Sequence, residues 1–308
     1  MANQASSQHY GDIRLEMITG IAFSKDRAMQ LRLFLESLQK NFVDLEDTHV
    51  LYSYSNDKFN DGYEKLKSEF SKVTFHAQSD NFYSDILNIV ELSNNYVSFF
   101  TDDDIIYRRV PLFSHILDYI FDQPVACLSL RLGYNMTIRE SEGVSFKDSL
   151  PEKIFELKAD ISENLIAWNR TSLPNGGYWS YPLSVDGHIF KKEKMLGFVN
   201  EISCLYKHDC FSGEIKQRPN FFESVLQRFY FDLPPMMTSF TESVLVNSPN
   251  NRVQDDFKNV SGSSFSFEQE DLNEKYLEGY IIDLEGIDFS NIKCPHQELN
   301  LSIKKYEE

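Results

Sequence analysis

Between residues 15 and 133, short apolar runs alternate with stretches whose apolar residues recur at helical spacing. The run at 15–24 (LEMITGIAFS) predicts a strand, ending in Phe23 and Ser24. Residues 26–39 follow, with Met29, Leu31, Leu33, Phe34, Leu35 and Leu38 on one side of an amphipathic helix and an Asp near its start. The same alternation predicts strands at 49–53, 73–77, 96–100 (YVSFF) and 125–130 (VACLSL). Helices are predicted at 62–70, 82–92 and 110–121.

A β-α-β-α order of this kind implies a mostly parallel, Rossmann-type sheet with helices on both faces. Such sheets bind ligands at the carboxyl ends of their strands. Chemistry is therefore expected just after Ser24, Ser53, Ala77 and Phe100. From 133 to about 175 the pattern weakens into a polar stretch with Gly143, Pro151 and Pro174, which predicts long loops. Order is expected again over 178–190, in helices from Lys191 and after Pro219, and in a late strand at 280–284. The acidic, Ser-rich stretch at 253–274 reads as a loop.

Composition narrows the partners. Thirty Lys and Arg stand against 47 Asp and Glu, a formal charge of −17, which opposes a dedicated nucleic-acid binder but allows a local basic site for one phosphate ligand. No apolar run approaches the ~18 residues of a membrane span. The polar stretch at 1–14 has no signal-like apolar core, so a cytoplasmic protein with at most peripheral contact at the inner membrane face is expected. Four cysteines without CxxC spacing predict reduced thiols.

The most informative residues are Thr101, Asp102, Asp103 and Asp104, directly after YVSFF. Three carboxylates at the end of a buried strand are costly to hold together unless a cation shares them. On an extended segment Asp102 and Asp104 point the same way. Both then face one divalent ion, with hard oxygen ligands suited to Mg²⁺ or Mn²⁺.

The first strand ending in AFSKDR, and an apolar strand ending in Asp-x-Asp about 80 residues on, resemble GT-A glycosyltransferases of the bacterial family-2-like type, over roughly residues 15 to 230. The resemblance implies a single GT-A domain, with 15–133 as the nucleotide-sugar half and 134–308 as an acceptor half with mobile loops. It implies a donor nucleoside-diphosphate-sugar, a UDP-sugar first, whose diphosphate is held by a cation on Asp102 and Asp104, with Asp103 between them. Phe23 and Ser24, at the end of the first strand, fall at the nucleotide, and Lys25 and Arg27 fall where they can assist the phosphates. Asp57, in Ser55-Asn56-Asp57, and the pair Asp80-Asn81 fall at the nucleoside positions, although both segments are also good helix-capping chemistry. Asp186-Gly187-His188 resembles the segment on the acceptor side, where glycine lets the backbone approach the donor sugar. Glu223 stands where the family's catalytic base opens a helix, with Ser224 in place of a second acid, and Asp186 is the reserve base. A helix N-terminus would keep Glu223 ionised. Arg252 falls in a loop that could close on the diphosphate, and His296 is a candidate late metal ligand.

The implied activity is inverting transfer of a sugar to a glycan or lipid-linked glycan acceptor, as in bacterial surface-polysaccharide assembly. The aromatic residues Trp168, Trp179, Tyr178 and Tyr181 suit an acceptor groove or an ordinary core. A sugar nucleotidyltransferase shares the fold type but opens with a Gly-rich loop, which AFSKDRAMQ lacks. A phosphoryl-transfer enzyme with an Asp-x-Asp nucleophile expects the motif after the first strand. A non-catalytic binding module on the same fold is the remaining reading.

Overall fold

The structure is a computed structural model that describes residues 18–43, 45, 47–112, 114–141, 144–147, 150–157, 164–173, 177–207, 218–250 and 268–306. The chain runs β1 (Ile18–Lys25), α1 (Ala28–Asn41), β2 (Asp47–Ser53), α2 (Asp57–Glu69), β3 (Thr74–Ala77), α3 (Phe82–Leu92), β4 (Tyr96–Thr101), β5 (Asp104–Ile106), α4 (Ser114–Phe121) and β6 (Val125–Ser129). It continues through the hairpin β7 (Ile138–Ser141) and β8 (Val144–Lys147), then β9 (Ile154–Leu157), β10 (Leu165–Asn169), β11 (His188–Lys191), α5 (Lys192–Lys207) and α6 (Pro219–Leu226). Last come β12 (Met236–Phe240), β13 (Leu245–Asn247), α7 (Gln269–Leu277), β14 (Tyr280–Ile282) and β15 (Ile303–Lys305).

One mixed α/β sheet organises the molecule, in the order β3-β2-β1-β4-β11-β6-β12-β10-β9 among the described residues. The four leading strands pair in parallel, as do β6 and β12, while β11 and β10 run against their neighbours. The sheet is therefore mostly parallel in strand direction, with β11 wedged antiparallel between β4 and β6. Strands from both sides of residue 133 interleave in it.

Helices cover both faces, and two adjacent residues of β4 show this. The Phe99 ring packs with Phe23, Phe190 and Phe222, whereas the Phe100 ring packs 5.1 Å from Phe34 of α1. Successive strand side chains point to opposite faces, so α1 lies on one face and α6, with α3 through Phe82, on the other. All of these rings are buried, and each full burial contributes roughly 2–3 kcal/mol.

The helices begin where side chains can take orphan backbone donors. Asn56 Oδ1 accepts from Phe59 N at 3.2 Å to open α2, and Asn81 Oδ1 accepts from Ser84 N at 3.1 Å to open α3. Helix α2 starts five residues before the sequence pattern suggested. Gly62 lies inside it because a Cβ there would collide with Asn273 of α7, which docks on α2.

The polar stretch after 133, expected as loops, holds the β7–β8 hairpin and the sheet strands β9 and β10. Over 178–190 the only regular pieces are a short 3₁₀ turn at Tyr178–Ser180 and β11. The expected 253–274 loop falls partly outside the described residues, and its end is the helix α7. No described helix is long and apolar enough to cross a membrane.

Candidate active site

The chain leaves β4 through a turn at Asp102 and Asp103, so the extended geometry expected for the triplet is not what forms. Asp104 re-enters β5 and folds back, its Oδ2 accepting from Thr101 N at 2.9 Å. The three carboxyls then take different neighbours. Asp102 accepts from Arg27 Nη1 at 3.0 Å and from Lys25 N at 3.3 Å. Asp103 accepts from the same Arg27 nitrogen at 3.0 Å and from Asn247 Nδ2 at 2.8 Å. Asp104, fully buried, shares Asn247 at 3.1 Å.

A second acidic pair faces this turn. Asp186, in the loop before β11, accepts from Thr101 Oγ1 at 3.2 Å, from Arg131 Nη1 at 2.5 Å and from His296 Nε2 at 3.0 Å. Arg131 also donates to Ser184 Oγ at 2.9 Å, and its guanidinium lies 5.2 Å from the centre of the Tyr178 ring. Glu223 accepts from Ser184, from the backbone of Val185 and from Tyr181. His296 is 110 residues beyond Asp186, yet the late segment brings it in. Asn247 N donates to Pro295 O, and Gln297 N donates to Asn247 O, both at 2.9 Å. This clips 295–297 alongside β13, so His296 joins the cluster through Asp186.

Electrostatics divide the carboxyls. Burial lifts Asp102 to about 6 despite Arg27, and burial with Asp186 nearby holds Asp104 well above the usual carboxylate range. Burial also raises Asp186, but the His296 hydrogen bond and the Arg131 charge outweigh it and keep the group well below its ordinary value. Glu223 goes the other way, to about 7, through burial and the Asp186 charge. The expectation that a helix start keeps Glu223 ionised is therefore corrected. The residue is the fifth of α6, not in its first turn, so the helix terminus is too far to outweigh burial.

A divalent cation fits this donor chemistry. Five carboxyl groups face two guanidiniums, and hydrogen bonds from Asn247, Thr101 and His296 with protonation of the least solvated carboxyls offset part of the excess charge. Among the described residues, no group of three or more His, Cys, Asp or Glu side chains could hold a metal ion, so Asp102, Asp104 and His296 do not form the ligand set the sequence suggested. Magnesium is commonly held by one or two carboxylates plus substrate phosphates rather than by an all-protein cage.

The remaining expected residues divide by position. Asp57 and Asp80 are exposed at the carboxyl ends of β2 and β3, on the sheet edge where the acidic turn sits. Asn81 spends its side chain on capping α3. Phe23 is corrected to a core residue, because Phe82, Phe99 and Phe222 surround its ring. Ser24 is tied to the Tyr63 hydroxyl at 2.7 Å, beneath the turn. Gly187 is required for a reason other than donor contact. Its φ is +69°, and a Cβ would lie 2.5 Å from a Leu245 methyl. His188 turns away from the cluster, with Nδ1 on Pro182 O at 3.0 Å, and burial drives it down to about 3. Arg252 lies outside the described residues.

Sequence reasoning missed Arg131 and Asn247. Arg131 stands two residues past β6, at the strand end where the carboxyl-edge rule looks for function. Asn247 carried no signal, since β13 is three residues long and its partner β5 lies about 140 residues earlier.

No family model matches the chain. Its sequence is similar to the bifunctional glycosyltransferase pgtA of Dictyostelium discoideum, 26% identical over 197 residues. That match takes in 60% of this chain and spans a quarter of the relative's length. Among solved structures, residues 1–349 of S. aureus TarS in complex with UDP align over 76% of this chain and 61% of that one, with 13% identity and a TM-score of 0.43. A 4-diphosphocytidyl-2C-methyl-D-erythritol synthase from Anaerococcus prevotii aligns over 85% of this chain and 96% of its own, with 12% identity and a TM-score of 0.37. At those scores the likenesses add nothing to the strand order. In its strand order and acidic carboxyl edge, the protein is a mixed α/β molecule whose sequence is similar to a glycosyltransferase.

Proposed function

We propose that the protein transfers a sugar from a nucleoside-diphosphate-sugar, with UDP the first nucleotide to test, to a hydroxyl of a glycan acceptor. The observation that carries this reading is the meeting of Asp102, Asp103, Asp104, Asp186, Glu223 and His296 at the carboxyl edge of the sheet, with proton affinities pushed apart within the set. The similarity to a glycosyltransferase supports it.

The turn at 102–104, with Asp186 and His296 beside it, would hold Mg²⁺ or Mn²⁺. When bound, that cation supplies the positive charge that stabilises the leaving diphosphate more in the transition state than before it. Asn247 and Thr101 orient the carboxylates through their shared hydrogen bonds. Asp57 and Asp80, exposed after β2 and β3, would face the nucleoside, and Lys25, exposed beside the turn, would face the phosphates.

Glu223 is the base. With its proton affinity near neutrality, it takes the acceptor's hydroxyl proton as the oxygen attacks the sugar carbon. The new carbon–oxygen bond forms as the bond to phosphate breaks, and the diphosphate leaves with the electron pair on the opposite side, inverting the carbon. Asp186 is a weak base, because His296 and Arg131 hold it ionised; its negative charge raises the proton affinity of Glu223 instead.

UDP release from UDP-sugars in the presence of Mn²⁺ tests the assignment. Glu223→Gln should lower turnover by roughly 10²–10⁴-fold with UDP binding nearly intact. Near-wild-type turnover in Glu223→Gln, with Asp186→Asn inactive, would move the base to Asp186.

A further inference from the structure

We infer that Arg27 is a built-in stand-in for the divalent cation, one that must leave the acidic turn when the cation and the nucleotide diphosphate arrive together. The inference rests on the cation-assisted reading above and concerns how that site is loaded. Arg27 is the residue just before α1 and makes no side-chain cap for the helix. Its Nη1 instead bridges Asp102 Oδ1 and Asp103 Oδ2, 3.0 Å from each, with 7% of the side chain exposed.

The remaining oxygens of the two carboxylates are already turned elsewhere. Asp102 Oδ2 faces Lys25 N, and Asp103 Oδ1 faces Asn247. The oxygens that both carboxylates aim at one point are the two that Arg27 occupies. A cation drawing on that pair would stand within a few ångströms of the guanidinium, where like charges repel strongly. One of the two has to go. A guanidinium displaced from a carboxylate pair at a strand's carboxyl end meets the diphosphate of the incoming donor, and its planar fork matches phosphate oxygens in two-pronged fashion.

This arrangement couples the two ligands. Cation alone must draw Arg27 off both carboxylates at the cost of a buried ion pair. Cation with nucleotide gives Arg27 a replacement anionic partner. By linkage, each ligand then strengthens the other by the same factor.

Calorimetric titration of Mn²⁺, with and without saturating UDP, tests this on the wild type and on Arg27→Met, which keeps the packing of the stem. In Arg27→Met, Mn²⁺ alone should bind about tenfold tighter or more, because the variant has no buried Arg27 ion pair to break before the cation can enter. The factor by which UDP strengthens Mn²⁺ binding should fall at least about tenfold, since no guanidinium is left to pass from the carboxylates to the diphosphate. Arg27→Gln, which keeps a donor and removes the charge, gives the same readout should the methionine variant fold poorly. An unchanged coupling factor would mean that Arg27 stays in place as a fixed counter-ion, and would overturn the inference while leaving the cation site intact. Failure of both proteins to bind Mn²⁺, even with UDP, would overturn the cation-assisted reading and this inference with it.

Discussion

Replacing Glu223 by Gln should make the protein more stable at alkaline pH while making it inactive. Burial and the Asp186 charge raise the Glu223 carboxyl from its ordinary 4.5 to about 7. The native state therefore keeps this proton over a range where the unfolded chain has lost it. The resulting stability is fully present below about 4.5 and is lost as pH rises through about 7. The full effect is about 3 kcal/mol, and about 2 kcal/mol of it falls between pH 5.5 and 8.5. The side chain is partly open to solvent, and screening leaves about 1 kcal/mol. Gln has no proton to lose. In urea unfolding followed by circular dichroism, Glu223→Gln should gain about 1 kcal/mol on the wild type from pH 5.5 to 8.5. Asp102 and Asp104 titrate in both proteins and cancel in the comparison to first order. Two parallel stability curves would refute the raised Glu223 and, with it, the reason for naming this residue as the base.

Asp104→Asn should cut turnover by at least about 100-fold, measured as UDP release, because the turn loses a carboxylate that would hold the cation opposite the negative charge developing on the leaving diphosphate. Arg170→Met should cost about 3 kcal/mol in urea unfolding, since its buried guanidinium donates to the carbonyls of Tyr230, Leu233 and Pro234, which would lose those donors. Gly133→Ala should lower stability by more than about 1 kcal/mol, because the new methyl group would meet the backbone of Glu242 and Ser243 at 2.5–2.6 Å, where nothing flexible can yield.

The first half of the fold was legible because its strands and helices carry their own hydrophobic period and alternate in a regular β-α order. Residues 18–25 and 96–101 are short, mainly apolar runs buried up to their last residue, and the α3 pattern places Phe82, Ile86, Ile89 and Val90 on its buried side. The later strands do not announce themselves this way. β5 and β13 are three residues each and exist because they pair across the chain, and β10 is a buried LIAWN set within a polar stretch. The site divides along the same line. The acidic triplet was legible from its place at the end of β4, but not its turn, because the Asp104 carboxyl folds back onto Thr101 N instead of following the pleat. Glu223 was legible as a helix residue, but its proton affinity depends on Asp186, which lies 37 residues earlier and meets it only through the fold. Arg131 and Asn247 owe their importance wholly to partners that no local pattern reveals.

The central claim is that the carboxyl edge of β1 and β4 takes a nucleoside diphosphate together with a divalent cation. Calorimetric titration with UDP, GDP, CDP and TDP, each with Mn²⁺ and with EDTA in its place, tests it directly. At least one nucleotide, UDP first, should bind with Mn²⁺, EDTA should abolish the binding, and Asp104→Asn should weaken it at least about tenfold. Absence of binding by all four with Mn²⁺ present, or binding that is equally tight in EDTA, would contradict it.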